Sequence, residues 1–222
     1  MLLAFDTASR MMSLALHDGR QVRYEVTWHS ANNHTIELTP AIQRALNQLA
    51  LKPAALTAIA VAQGPGSFTG LRIGMSVAKG MAIAHQIDLI AIPTLDSIAA
   101  DIPWFEGELL AVLRAGRGRI CAQSYTWQDQ RWTPQGEAII TAWEQQIQAI
   151  EHPTLIAGEI DENGYRALDT TDRPIQLATG AHSLRRAGFL AEIAWQRIRA
   201  GQVDDPATVT PIYLHQPGVP HP

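Results

Sequence analysis

The sequence has a single cysteine, little charge and no long hydrophobic run. Cys121 alone cannot form an intrachain disulfide, which excludes the disulfide-stapled class of small secreted domains. The chain begins without a cationic segment and reaches Asp6 after four apolar positions, so neither a signal peptide nor a transit peptide fits. No apolar run is long enough to cross a bilayer. These absences predict a soluble cytoplasmic protein without membrane association.

Positive charge is also scarce. The chain has 17 Lys and Arg residues against 21 Asp and Glu residues, which gives a formal net charge of -4. A protein that binds nucleic acid by itself needs a basic face, because its affinity comes from phosphate contacts and counterion release. We therefore expect any contact with RNA to depend on partner subunits.

The hydrophobic pattern divides the chain into two halves with the same order of elements. Each half reads as three short strands followed by helix, strand, helix, strand and helix. In the first half the pattern predicts helices over 35–50 and from about 69 to 85. In the second half Thr141 and Glu144 form a capping box for one helix, and a closing helix spans 182–200. The sequence thus predicts an α/β protein with one lobe over 1–102, a second over 103–214, and a short proline-rich, flexible tail at 215–222.

The sharpest local motif is GPGSFTG at 64–70, between a predicted strand and a predicted helix. Such a loop directs backbone N–H groups and a helix dipole toward one point, which favours an anion. The candidate phosphate-binding residues are Asp6, Gly64, Gly66, Ser67 and Thr69. Alternatively, the glycines satisfy tight-turn angles and a hydroxyl caps the helix. The loop has neither the Walker lysine nor the Rossmann spacing.

The helix after this loop carries a small residue at every fourth position. The stripe consists of Gly70, Gly74, Ala78 and Ala82. Small residues let another helix approach closely. Packing against the protein's own first helix or sheet explains the stripe equally well, since core and interface stripes look alike in sequence.

Three kinds of polar residue are candidate sites. His29 and His34 are five residues apart with no acid between them, so on a helix they would point about 140° apart; we predict no metal site and no cofactor. No serine lies in a nucleophile elbow. Arg114, Arg117 and Arg119 bracket a hairpin turn, where they could contact RNA phosphate, an acidic partner or only solvent.

Five segments, in this order, resemble the bacterial TsaB (YeaZ) family. They are DTAS, HTIELTPAIQRAL, GPGSFTGLRIGMSVAKGMA, IPTLDSIA and PIYL. The resemblance implies two tandem RNase H-like lobes of the actin-like and sugar-kinase (ASKHA) fold. It also implies a non-catalytic scaffold or activating subunit of the complex that makes threonylcarbamoyladenosine in tRNA. The implied partners are TsaD and TsaE homologues, with tRNA bound only through the complex.

In that family the first two helices dock on TsaD, or on a second TsaB copy in a homodimer. Carried over to this sequence, the docking helices span 35–50 and 69–84. The implied partner-binding residues are Leu38, Ile42, Leu46, Leu71, Gly74, Met75 and Ala78.

One segment departs from the family pattern. Where relatives commonly have Asp-Ala-Arg, this chain has Arg114-Ala115-Gly116, which removes an acid that an actin-like phosphotransferase would use with a metal. The alternative functions are such a phosphotransferase or a glycoprotease-like peptidase.

Overall fold

The structure is a computed structural model that describes residues 1–31 and 33–214. The predicted flexible tail at 215–222 lies outside the described residues. The chain divides into two units: Met1–Ser97 joins Arg185–Ile212 in the first, and Ile98–Leu184 makes up most of the second.

Each unit contains a five-stranded mixed sheet. The first sheet consists of β1 (Leu2–Asp6), β2 (Met11–His17), β3 (Val22–His29), β4 (Ala58–Gly64) and β5 (Asp88–Pro93), in the order β3-β2-β1-β4-β5. The second consists of β6 (Glu108–Gly116), β7 (Arg119–Gln128), β8 (Arg131–Ala142), β9 (Thr154–Gly158) and β10 (Ile175–Leu177), in the order β10-β9-β6-β7-β8. In both sheets the first three strands are antiparallel and the last two run parallel to the first. The predicted repeat of architecture is confirmed.

The described residues form six α-helices. They are α1 (His34–Gln48), α2 (Phe68–His85), α3 (Thr94–Ala99), α4 (Trp143–Gln148), α5 (Glu162–Asp169) and α6 (Ala187–Arg199).

The predicted capping box is wrong. Thr141 pairs with Ile120 as part of β8, and α4 follows Ala142 without a side-chain cap. No helix in the described part of the chain is both long and apolar enough to span a membrane.

Alternating side chains place the helices of the first unit on both faces of its sheet. Leu3 and Phe5 of β1 join the core formed with the buried residues of α1 and α2. The opposite face of the sheet is covered by α6, whose buried residues include Leu190 and Ala194. Because successive strand residues point to opposite faces, both faces of β1 are apolar and fully buried.

The second unit has its own core. Val112 and Ile156 from the sheet pack with Trp143 and Ile147 of α4. The Trp143 indole N–H donates to Asp161 at 3.0 Å, and the same carboxylate oxygen caps α5 by accepting from the Gly164 N–H at 3.0 Å. One carboxylate therefore fixes both helices of this core.

The division of the chain differs from the predicted lobes. The closing helix, predicted within the second lobe, is α6 of the first unit. Its physical reason is the sheet itself: β1 and β2 bury their second face against α6. The first unit is therefore discontinuous in sequence.

Candidate docking surface and glycine loop

The inward faces of α1 and α2 hold all seven residues predicted to bind a partner. Leu38, Ile42, Leu46, Leu71, Gly74, Met75 and Ala78 are buried within the first unit. They form the apolar stripe that each amphipathic helix packs against its own sheet. Ile42 and Leu46 also contribute to the lining of a groove on the outward side of these helices.

The small-residue stripe of α2 is explained by contacts inside the chain. A side chain at Gly74 would place its Cβ 2.2 Å from Thr7 Oγ1, and one at Gly70 would place it 2.1 Å from the Thr7 carbonyl oxygen. Thr7 Oγ1 also donates to the Gly70 carbonyl at 2.8 Å. The glycines therefore allow the turn after β1 to lie against α2. This contact is internal packing, the alternative to a partner contact that the sequence leaves open.

The glycine loop is occupied by the chain's own backbone. The Ser67 N–H donates to the Ala8 carbonyl at 2.6 Å, and a Cβ at Gly66 would lie 2.5 Å from that same oxygen. Ser67 caps α2 by accepting from the Gly70 N–H at 3.2 Å. The Gly64 N–H donates to Thr94 Oγ1 at 3.1 Å, whereas Thr69 is exposed on α2. These contacts use donors that a phosphate would need, and they favour a structural role for the loop.

Asp6 lies in a buried ion pair. Its Oδ2 accepts from Arg185 Nε at 2.8 Å, and both side chains are almost completely buried. Arg185 Nη2 also donates to Ser9 Oγ at 2.6 Å and to the Met11 carbonyl at 2.9 Å. The carboxylate that an actin-like phosphotransferase would direct at a metal is thus engaged by a guanidinium. Sequence reasoning missed Arg185, because it lies 179 residues from Asp6 and no local pattern marks it.

A groove of about 360 Å³ lies between the outward faces of α1 and α2. Its lining is mostly apolar and includes Val77 and Met81 of α2 together with Pro53. Three large apolar side chains on the same helices are exposed: Ile36 by 69%, Phe68 by 53% and Ile83 by 64%. These three side chains do not line the groove, and isolated exposed apolar residues are common. The open apolar groove itself is the feature typical of a protein contact.

Gly80 stands out on this outward face. It lies in the fourth turn of α2 and lines the groove, and a Cβ there would meet nothing within 4 Å. Glycine in a helix interior costs about 0.5–1 kcal/mol relative to alanine. No contact within the described chain requires this glycine, in contrast to Gly70 and Gly74.

The two histidines are not placed together on a metal. His34 is the first residue of α1, and its Nε2 lies 2.9 Å from the Ser9 carbonyl oxygen. His29 is the last residue of β3, and its side chain is exposed. No group of three or more potential ligands among the described residues is arranged to share a metal ion.

The Cys121 thiol of the second unit is buried. Burial raises the pKa of this thiol to about 11, and the positive charge of the nearby Arg119 offsets part of that increase.

Comparison with known families identifies the family to which the chain belongs. Residues 28–170, more than half of the chain, match the family model described as TsaD, tRNA N6-adenosine threonylcarbamoyltransferase. The chain belongs to this family.

Within the TsaD family, the curated relatives point to the TsaB branch. The Bacillus subtilis tRNA threonylcarbamoyladenosine biosynthesis protein TsaB is 29% identical over 71% of this chain and 70% of its own length. The Escherichia coli TsaB protein is 35% identical over 44% of this chain, and the match spans only 42% of that protein. The recognition of TsaB (YeaZ) from the sequence motifs is confirmed.

Solved structures give the same fold. YeaZ from Pseudomonas aeruginosa is 25% identical, with a TM-score of 0.77 over 96% of this chain and 99% of that one. At the level of fold alone, the likeness extends to the activator of 2-hydroxyisocaproyl-CoA dehydratase from Clostridium difficile. That protein is 9% identical, with a TM-score of 0.50 over 90% of this chain and 97% of its own. Together with the duplicated sheet topology, these matches confirm the ASKHA fold predicted from the sequence.

Proposed function

We propose that the chain is a TsaB-type subunit of tRNA threonylcarbamoyladenosine synthesis that acts as a non-catalytic scaffold. It binds a TsaD homologue through the outward faces of α1 and α2 and thereby activates it. The observation that carries this proposal is the apolar groove between these helices, with Gly80 on its wall. Family membership supplies the pathway and the class of partner.

The groove suits a partner helix. Packed helices lie 8–10 Å apart, and the smaller the contacting residues, the closer they approach. Ser76 and Gly80 are one turn apart on the exposed side of α2, and Val77 and Met81 provide the apolar contact beside them. A helix lying here would bury these side chains and would explain why α2 retains a glycine without an internal use.

The remaining partner assignments follow from the family resemblance. Two copies of the chain would pair through it when no TsaD homologue is present, and a TsaE homologue would join the assembled complex. At physiological salt we assign tRNA to the complex rather than to the isolated chain, because the net charge of -4 provides little affinity for phosphate.

The non-catalytic part of the proposal depends on Asp6 and the glycine loop. Arg185 pairs with the Asp6 carboxylate, and the Ala8 carbonyl accepts from the loop. A phosphotransferase would need both groups for metal and phosphate. The described residues offer no comparable observation in favour of phosphotransfer or peptide hydrolysis.

The test introduces a bulky side chain into the groove by Gly80→Gln. Glutamine favours the helix more than glycine does, so α2 is expected to fold, whereas the added side chain blocks close helix approach. We expect the affinity for a purified TsaD homologue to fall at least about tenfold, with a matching loss of threonylcarbamoyl transfer to tRNA in a reconstituted assay.

The matched control is Gly180→Gln in the second unit, where a side chain also meets open space. This variant should bind as the unsubstituted chain does. Unchanged binding by Gly80→Gln would refute the docking surface. Nucleotide or peptide turnover by the isolated chain, lost on Asp6→Asn, would refute the non-catalytic assignment instead.

A further inference from the structure

The turn between β6 and β7 in the second unit concentrates positive charge in an otherwise acidic protein. Arg114 ends the regular part of β6, Arg117 lies in the turn itself and Arg119 begins β7. Arg114 and Arg117 are exposed, and neither side chain has a hydrogen bond or ion pair to any part of the chain that the structure describes. Arg119 adds charge beneath the turn, and its Nη1 is buried without a partner among the described residues.

The backbone of this turn holds an arginine where an arginine is disfavoured. Arg117 and Gly118 have φ of +54° and +72° and connect the paired residues Gly116 and Arg119. Positive φ at both central residues defines a type I′ turn, which favours Asn-Gly or Asp-Gly. The turn at the other end of β7 follows that preference at its first position, where Asp129 has φ of +49°. Arg117 therefore occupies a position that favours Asn or Asp, and Gln130, with φ of +61°, likewise occupies a disfavoured position in the other turn. The exposed positive charge of Arg117, rather than its backbone conformation, distinguishes the β6–β7 turn.

A polar groove lies next to the turn. Gly118 lines a cavity of about 470 Å³ together with Asn163, Thr170 and Thr171, and Asn163 Nδ2 lies 3.3 Å from where a Gly118 side chain would begin. Amides and hydroxyls can bind ribose hydroxyls and phosphate oxygens. Glu144 and Arg166 also line the cavity, and their opposite charges leave it without net charge from these two residues. The excess positive charge is that of the arginines at the turn.

We infer that the β6–β7 turn is a contact site for the sugar-phosphate backbone of RNA, with Arg114 and Arg117 pairing with phosphates. This inference rests on the proposed function, in which tRNA is the substrate of the assembled complex. The site has no aromatic stacking platform in the groove or the turn as described, so its contacts are to the backbone and independent of base sequence. RNA is favoured over an acidic protein segment because the groove beside the arginines is lined by ribose-compatible polar groups.

The test measures binding of unmodified tRNA in two settings. The first uses the chain with its TsaD homologue, and the second uses the isolated chain at low salt, where weak phosphate contacts become measurable. For Arg114→Ala with Arg117→Ala, we expect affinity to fall at least about tenfold in both settings. The dependence of log affinity on log salt should become shallower by about 1.4–1.8, the effect of two lost phosphate contacts.

Two controls separate this site from net charge and from folding. Arg20→Ala with Arg131→Ala removes the same charge at exposed positions that are not part of the turn and should leave the salt slope unchanged. Arg117→Asn introduces the residue that the turn prefers, so it should fold at least as well while binding tRNA less tightly.

Each outcome is decisive. Equal tRNA affinity for the double variant and the unsubstituted chain, in either setting, would overturn the inference. Loss of TsaD binding with tRNA affinity unchanged would identify the turn as a protein contact and would also overturn it. Failure of the unsubstituted chain to bind a TsaD homologue would refute the proposed function, and the isolated-chain measurement would then decide the RNA site alone.

Discussion

Arg185 and Asp6 form a buried ion pair in the first unit. Their side chains are only 1% and 2% exposed. Removing one partner of a buried ion pair leaves an uncompensated charge and costs about 3–5 kcal/mol. We therefore expect Arg185→Met to lower the free energy of unfolding by about that amount, measured by urea denaturation.

The neighbouring Arg186 provides a matched control. Arg186 pairs with Glu25 at 2.6 Å, but its own side chain is 45% exposed. Exposed pairs contribute about 0.2–1 kcal/mol, so Arg186→Met should be mild. Replacing both members of the buried pair, by Asp6→Asn with Arg185→Met, should cost less than Arg185→Met alone, since no charge is then stranded. Equal costs for the two arginine substitutions would contradict this assignment.

At the scale of one element, α2 contains glycines with opposite roles. Gly74 faces Thr7, and Gly80 faces open space. Gly74→Ala should destabilise the protein, because its Cβ would lie 2.2 Å from Thr7 Oγ1. Gly80→Ala should raise the free energy of unfolding by about 0.5–1 kcal/mol, since alanine favours helix and nothing obstructs it.

Thermal or urea unfolding of the two alanine variants checks this contrast. Combining Gly74→Ala with Thr7→Ala removes the clashing oxygen and should recover part of the loss, as residues in contact are expected to show coupling. A loss of stability in Gly80→Ala would show that this glycine has an internal role, and it would weaken the docking surface as well.

The sequence predicted the elements of this fold better than the direction in which they face. Hydrophobic periodicity located β1, α1, α2 and β4 to within a few residues, because periods of 2 and 3.6 are local properties of the chain. The same periodicity cannot separate a core stripe from an interface stripe. The residues of α1 and α2 that the family resemblance implies for partner binding are buried within the first unit. The distinguishing contact, Thr7 with Gly70 and Gly74, joins segments 63 residues apart or more and leaves no local signature.

At the scale of the whole molecule, the chain's return to the first unit was not predictable from periodicity. The closing helix has an ordinary amphipathic pattern, and its sequence does not indicate which sheet it packs against. Family resemblance, in contrast, identified the ASKHA fold correctly, because motif order along the chain carries information that no single element has.

The discontinuous first unit predicts how fragments of the chain behave. A fragment of residues 1–102, the first lobe as read from the sequence, lacks α6 and Arg185. It would expose one apolar face of β1 and β2 to water and strand the Asp6 carboxylate without its partner. We expect this fragment to be unfolded or aggregated, as seen by circular dichroism and size-exclusion chromatography.

A chain that joins residues 1–97 to 185–212 through a flexible Gly/Ser linker restores both features and should fold cooperatively. The comparison isolates the contribution of the returning segment, because both fragments contain the complete first sheet and differ chiefly in α6 and Arg185. If the 1–102 fragment unfolded cooperatively with the same urea midpoint as the joined chain, the first unit would not depend on the returning segment. Folding of the joined chain alone would establish that β1 and β2 require a covering helix contributed from beyond the second unit.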